Sequence, residues 1–179
     1  MWKNPYDQLE LPGTYGYDFG DYDSDPMDED EDGHGTHCAG VISAVSDNNK
    51  GICGISNAKL MALKVFNSAG TSYDSAIIAA FNYIYKAQTL GANIAAINCS
   101  WGGGGSSSTS MKTLINQIGQ NGSLFLFAAG NDGEDHNNAI SDGCPYDLDS
   151  PYVVTVGAST QTDKKASFSD YGNKTVHLF

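Results

Sequence analysis

The chain has 179 residues, of which 40% are hydrophobic, which is enough for a packed core in one domain or a large piece of one. Its net charge of −12 argues against nucleic acid or an anionic membrane surface as a partner, and no apolar run is long enough to span a membrane. The acidity is local: nine of the 21 acidic residues fall between Asp18 and Asp32, where there is no basic residue. The opening Met1-Trp2-Lys3-Asn4-Pro5 lacks the apolar segment of a signal peptide. Four cysteines (Cys38, Cys53, Cys99 and Cys144) do not make a disulfide scaffold. Three of them sit among apolar or small residues, which predicts buried free thiols.

Up to about Gly33 the chain is rich in Gly, Asp and Tyr without periodicity and reads as loop. Residues Thr36 to Ser46 read as a helix, and Lys59 to Val65 as a strand. From Ser72 to Leu90, Ile77, Phe81 and Ile84 recur at helical spacing; Ser72 is the expected cap and Gly91 the expected stop. Asn93 to Cys99 and Ser123 to Ala129 are short apolar runs. Between them, Met111, Leu114, Ile115 and Ile118 mark a helix over Thr109 to Gln120. Tyr152 to Ala158 is a further strand. Alternating strands and helices, with apolar strands, predict a three-layer α/β fold: a mostly parallel sheet with helices on both faces. In such folds the working site lies beyond the carboxyl ends of the strands. Two glycine-rich segments fall there, Ser100-Trp101-Gly102-Gly103 and Gly130-Asn131-Asp132.

The segment Gly33-His34-Gly35-Thr36-His37-Cys38-Ala39-Gly40 places a histidine between glycines at a helix start. A general base must present its ring to substrate without crowding, and this sequence leaves the ring open. The octapeptide resembles the histidine motif of the subtilisin-like serine proteases, the subtilases. The resemblance continues in order. Gly51-Ile52-Cys53-Gly54-Ile55 and Leu60 to Val65 resemble the turn and strand after that motif. Asn98-Cys99-Ser100-Trp101-Gly102 resembles the substrate-binding strand end, and Ala128 to Gly133 the segment carrying the oxyanion asparagine. Ser150 to Ala158 and Phe168-Ser169-Asp170-Tyr171-Gly172 resemble the next segments of the family in turn.

The resemblance implies roles. His34 is the general base and later the general acid, and Asn131 donates its amide to the tetrahedral oxyanion. Ser100, Trp101 and Gly102 pair with the backbone of a polypeptide substrate as an edge strand, opposite Gly70 and Thr71, with Tyr73 lining a pocket. It also implies a secreted or cell-surface parent. His37 is a structural member of the motif, while His136 and His177 have no evident partner.

Subtilases order their triad Asp, His, Ser. No Asp-Thr/Ser-Gly motif precedes His34, and no Gly-Thr-Ser-Met-Ala motif follows Asn131. The Gly70-Thr71-Ser72 stretch precedes Asn131 and is a decoy. Residues 1–179 are therefore expected to be a partial catalytic domain, inactive alone, whose partners include the remaining N- and C-terminal parts of the same polypeptide. The competing reading is a non-catalytic pseudo-protease that binds peptides or a protein partner. A nucleotide-binding module is disfavoured, because no Gly-x-Gly-x-x-Gly turn or phosphate loop follows a strand.

The acids of the 18–32 stretch read mostly as solvated loop charge. Asp21, Asp23 and Asp25 alternate as oxygen ligands for Ca²⁺ do, but Pro26 and Asp32 stand where an EF-hand needs Gly and Glu. Some subtilases hold calcium just before the histidine motif, so a structural Ca²⁺ here is an implication of the resemblance. Asp47-Asn48-Asn49 resembles the position of another calcium loop of the family.

Overall fold

The computed structural model describes residues 15–29, 31–102, 109–137 and 150–179. Gly103 and Cys144 lie outside them, as does the 1–14 segment. The chain forms two compact units, Met1–Leu90 and Gly91–Phe179.

In the first unit, β1 (Gly16–Asp18) runs parallel to β2 (Ala62–Lys64), with Tyr17 opposite Leu63 and Asp18 opposite Lys64. Strand β1 falls in the stretch read as loop. It has three residues, one of them glycine, and no apolar run to announce it. Gly16 has φ 151°, and a Cβ there would sit 1.6 Å from the Ala62 carbonyl oxygen, so the pairing requires glycine. Just past β1, Phe19 is 1% exposed and packs against Tyr17 and Tyr83, with ring centroids 4.9 and 5.9 Å away.

Helix α1 (His34–Ser43) begins at His34 itself, two residues before the expected start. Helix α2 (Asp74–Thr89) buries Ala76, Ile77, Ala80, Phe81, Tyr83, Ile84 and Ala87, the stripe its periodicity announced. Its cap position is Tyr73, not Ser72. The Ser72 hydroxyl instead donates to the Val65 carbonyl at 2.7 Å, tying the helix entry to the end of β2. Gly91 follows with φ 100°, the left-handed stop expected of it.

The second unit carries β3 (Ala96–Cys99), α3 (Thr109–Gln120), β4 (Leu124–Ala128) and β5 (Val153–Val156). The strands are parallel, in the order β3-β4-β5, with Cys99 opposite Phe127 and Phe127 opposite Thr155. Burial alternates along β4. Phe125 and Phe127 are sealed and stack at 6.2 Å, while Leu124 is 44% exposed. Helix α3 has the bounds its pattern predicts, and Ile115 and Ile118 are fully buried. Each such side chain contributes about 1.5–3 kcal/mol relative to an exposed one. After β5 the chain returns alongside it. The His177 amide donates to the Thr155 carbonyl at 2.9 Å, and the Thr155 amide donates to His177 Nδ1 at 3.0 Å. That gives His177 the partner its sequence context did not show.

Candidate active site

Helix α1 opens on His34, with Gly33 before it at φ 57°. No α1 side chain caps this end. The Thr36 amide, one of the four that an α-helix leaves without a partner, donates to Asp28 Oδ2 at 2.9 Å. One member of the acidic stretch therefore has a definite structural role. It holds the helix start that presents His34, with its charge at the positive end of the helix dipole. The His34 ring is exposed, and its Nε2 lies 3.6 Å from Cys38 Sγ one turn on.

Gly70 and Thr71 form a tight turn beyond β2. Gly70 has φ 70° and its amide donates to the Asn67 carbonyl at 2.9 Å. Asn67 Oδ1 accepts from the Thr71 amide at 2.9 Å, and the Asn67 amide donates to the Thr71 carbonyl at 2.9 Å. Thr71 thus spends its amide and carbonyl inside the turn, and its side chain is exposed. Tyr73, 63% exposed, follows at the mouth of α2.

In the second unit the other predicted residues leave one end of one sheet. Cys99 lies opposite Phe127 in a parallel register, so Ser100-Trp101-Gly102 and Gly130-Asn131 emerge side by side. Within its sheet β3 pairs only with β4 among the described residues. Ser100 and Asn98 exchange side-chain hydrogen bonds. Trp101 stands edge-on to Phe127, centroids 5.6 Å apart at 88°, so the buried ring of β4 fixes the indole. Gly130, at φ 113°, turns the chain and leaves Asn131 exposed.

The 18–32 acids do not share one fate. Asp18 is 2% exposed, and its Oδ2 lies 2.6 Å from Lys64 Nζ, which corrects its reading as a solvated loop charge. Asp21 Oδ2 takes Lys64 Nζ at 3.0 Å and the Ser68 amide at 2.7 Å. The Lys64 hydrogen bond holds the Asp21 carboxyl below its ordinary value. Burial pulls Lys64 down, but the hydrogen bonds to Asp18 and Asp21 outweigh it and leave the ammonium above its ordinary value. Asp23 and Asp25 accept the amides of Asp25 and Met27 in local turns. Asp21 is thus committed to Lys64 and the Ser68 amide, while Asp23 and Asp25 each accept one local amide. Among the described residues no group of three or more His, Cys, Asp or Glu side chains is placed to hold a metal ion.

The thiols also divide. Cys99 is buried, and burial pushes its thiol well up, but Cys38 is half-buried and Cys53 is exposed, its Sγ 2.8 Å from Ser46 Oγ. For Cys38 and Cys53 this corrects the expectation of buried thiols. Small or apolar neighbours in sequence need not cover a side chain in space.

Two residues with no role in the motif reading meet at Asn131's loop. Asp170 is 3% exposed and His136 is 7% exposed; Oδ2 and Nε2 are 3.1 Å apart. Asp170 Oδ1 accepts the amides of Asp132 and Glu134, both at 2.9 Å. Burial raises this carboxyl, but the Glu134 amide, the His136 ring and the Asp132 amide together lower it below its ordinary value. The only sequence signal was the position of Asp170 in the Phe168–Gly172 stretch.

The family model for the subtilases matches residues 5–178, and the chain belongs to the subtilase family. It is 33% identical to thermitase of Thermoactinomyces vulgaris, covering 88% of this chain and 52% of that protein. It is 37% identical to a thermophilic serine proteinase of Bacillus sp. (strain AK1), covering 93% of this chain and 39% of the other. An extracellular protease of Xanthomonas campestris pv. campestris is 35% identical over 78% of this chain and 24% of its own length. Among solved structures, a cold-adapted subtilisin-like serine proteinase superposes with a TM-score of 0.66 at 30% identity, covering 99% of this chain and 58% of its own. A protease from Pseudoalteromonas arctica PAMC 21717 gives a TM-score of 0.71 at 28% identity, covering 98% of this chain and 59% of its own. The fold is thus the three-layer α/β arrangement of subtilisin-like proteinases. The chain spans about a quarter to a half of the length of these curated relatives.

Proposed function

We propose that this chain supplies the general base and the oxyanion donor of a secreted serine endopeptidase. The serine nucleophile and the aspartate that orients His34 come from polypeptide beyond these 179 residues. In this reading His34 takes the serine proton as the oxygen attacks the scissile carbonyl carbon. It returns that proton to the leaving amine, and water then releases the acyl group by the same steps in reverse order. Asn131 donates to the oxyanion. The Ser100–Gly102 edge aligns the substrate strand, and Gly70, Thr71 and Tyr73 also contact substrate. The observation that carries the reading is the emergence of Asn131 beside Ser100-Trp101-Gly102 from one end of a parallel sheet. Secretion is supported by the extracellular protease among the relatives.

The test is uptake of a serine-reactive fluorophosphonate and hydrolysis of a peptide amide by the full-length parent and by this chain alone. The parent is expected to do both, and the isolated chain neither. In the parent, Asn131→Ala is expected to lower kcat by roughly 10²–10³-fold, the loss known for removing one such donor in a related enzyme. His34→Ala is expected to abolish burst kinetics. A parent that binds peptides but takes up no fluorophosphonate is instead a pseudo-protease.

A further inference from the structure

The loop carrying Asn131 is anchored to a distant part of the chain, and one residue, Asp170, makes half of the hydrogen bonds that anchor it. Six hydrogen bonds lace residues 130–136 to residues 168–171. The Asp170 amide donates to the Gly130 carbonyl at 3.1 Å, on the N-terminal side of Asn131. The Asp132 and Glu134 amides, on its C-terminal side, donate to Asp170 Oδ1 at 2.9 Å each. Gly133 donates to the Phe168 carbonyl at 2.8 Å, Tyr171 to the Glu134 carbonyl at 2.9 Å, and His136 to the Tyr171 carbonyl at 2.8 Å. Asp170 is thus the one residue among these that grips the chain on both sides of Asn131. Its second carboxylate oxygen lies 3.1 Å from Nε2 of buried His136.

We infer that Asp170 is a positioning residue for catalysis: its carboxylate fixes the turn that aims the Asn131 amide at the oxyanion. The inference rests on the protease reading above. An oxyanion donor works only when it is already aimed at the position where charge develops, because reorganising it during the reaction cancels the gain. Asn131 is exposed, and no described contact holds its side chain. Where that side chain emerges is set by the backbone, which Asp170 holds on both sides.

The experiment compares Asp170→Ala, Asp170→Thr and Asp170→Asn in the full-length parent, with kcat expressed per site titrated by a fluorophosphonate. That normalisation removes any unfolded fraction. Asp170→Ala is expected to lower kcat by at least about tenfold at unchanged KM, and by no more than the roughly 10²–10³-fold of losing the donor outright. Asp170→Asn keeps an oxygen that accepts both amides and is expected to stay within about threefold of wild type. Asp170→Thr, with one small acceptor, falls between them and serves if the alanine variant does not fold. Wild-type kcat per titrated site in Asp170→Ala or Asp170→Thr overturns the inference, as does Asp170→Asn impaired as deeply as the alanine variant. A wild-type parent that itself neither hydrolyses peptides nor takes up the fluorophosphonate ends the protease reading, and this inference with it.

Discussion

Asp18 and Lys64 form an ion pair at 2.6 Å between two side chains that are only 3% and 12% exposed, joined across the parallel β1–β2 pairing. A buried pair of this kind is costly to break from one side, because the remaining charge is left without its partner. The two partners are not equivalent. Removing Asp18 leaves Lys64 its contact with Asp21, whereas removing Lys64 strands the Asp18 carboxylate, left with the Gly20 and Asp21 amides as its donors. Lys64→Met is therefore expected to lower unfolding free energy by about 3–5 kcal/mol, and Asp18→Asn by clearly less. Urea denaturation of both variants checks the order, and equal losses would contradict it.

Asp170 makes stability depend on acid. Its carboxyl lies below its ordinary value when folded, so protons bind the unfolded chain more readily. Its contribution is fully present above the unfolded carboxyl pKa of about 3.9 and is lost as pH falls through the lower folded value. Asp170→Asn is expected to flatten the fall of the urea midpoint in that acid window and to leave its shape near neutrality unchanged. An identical acid limb in wild type and variant would show that the carboxylate is not bonded as described.

The Thr36 amide of α1 depends on Asp28. Asp28→Ala is expected to cost about 1 kcal/mol of local stability, and Asp28→Asn only the charge–dipole part of about 0.3–1 kcal/mol. Hydrogen exchange at the Thr36 amide reads this directly: fastest in Asp28→Ala, intermediate in Asp28→Asn. Unaltered exchange in Asp28→Ala would mean another group holds the helix start.

The described thiols are expected to react in two classes. Cys53, exposed, should be modified by a disulfide reagent in the native state. Cys99, buried with its thiol raised by desolvation, should react only on unfolding. Mass spectrometry of the labelled chain distinguishes them, and native labelling of Cys99 would contradict its burial.

Much of this was legible in the chain itself. The spacing of Met111, Leu114, Ile115 and Ile118 marked α3, since one apolar stripe is enough to bury a helix. The segments after β3 and β4 were likewise predictable as strand ends, because short apolar runs stopped near glycine. The histidine octapeptide and the Asn131 segment carried the family. These are properties of contiguous residues, which periodicity and local motif record.

Tertiary structure alone decided which charges are buried. Nothing local separates Asp18 from Asp23, yet one is sealed against a lysine 46 residues away and the other turns in solvent. Strand β1 exists only because Ala62–Lys64 pairs with it, and Asp170 meets Asn131's loop across 36 to 38 residues. An ion pair or a parallel pairing draws its free energy from a partner brought near by folding, and one-dimensional order holds no record of that distance.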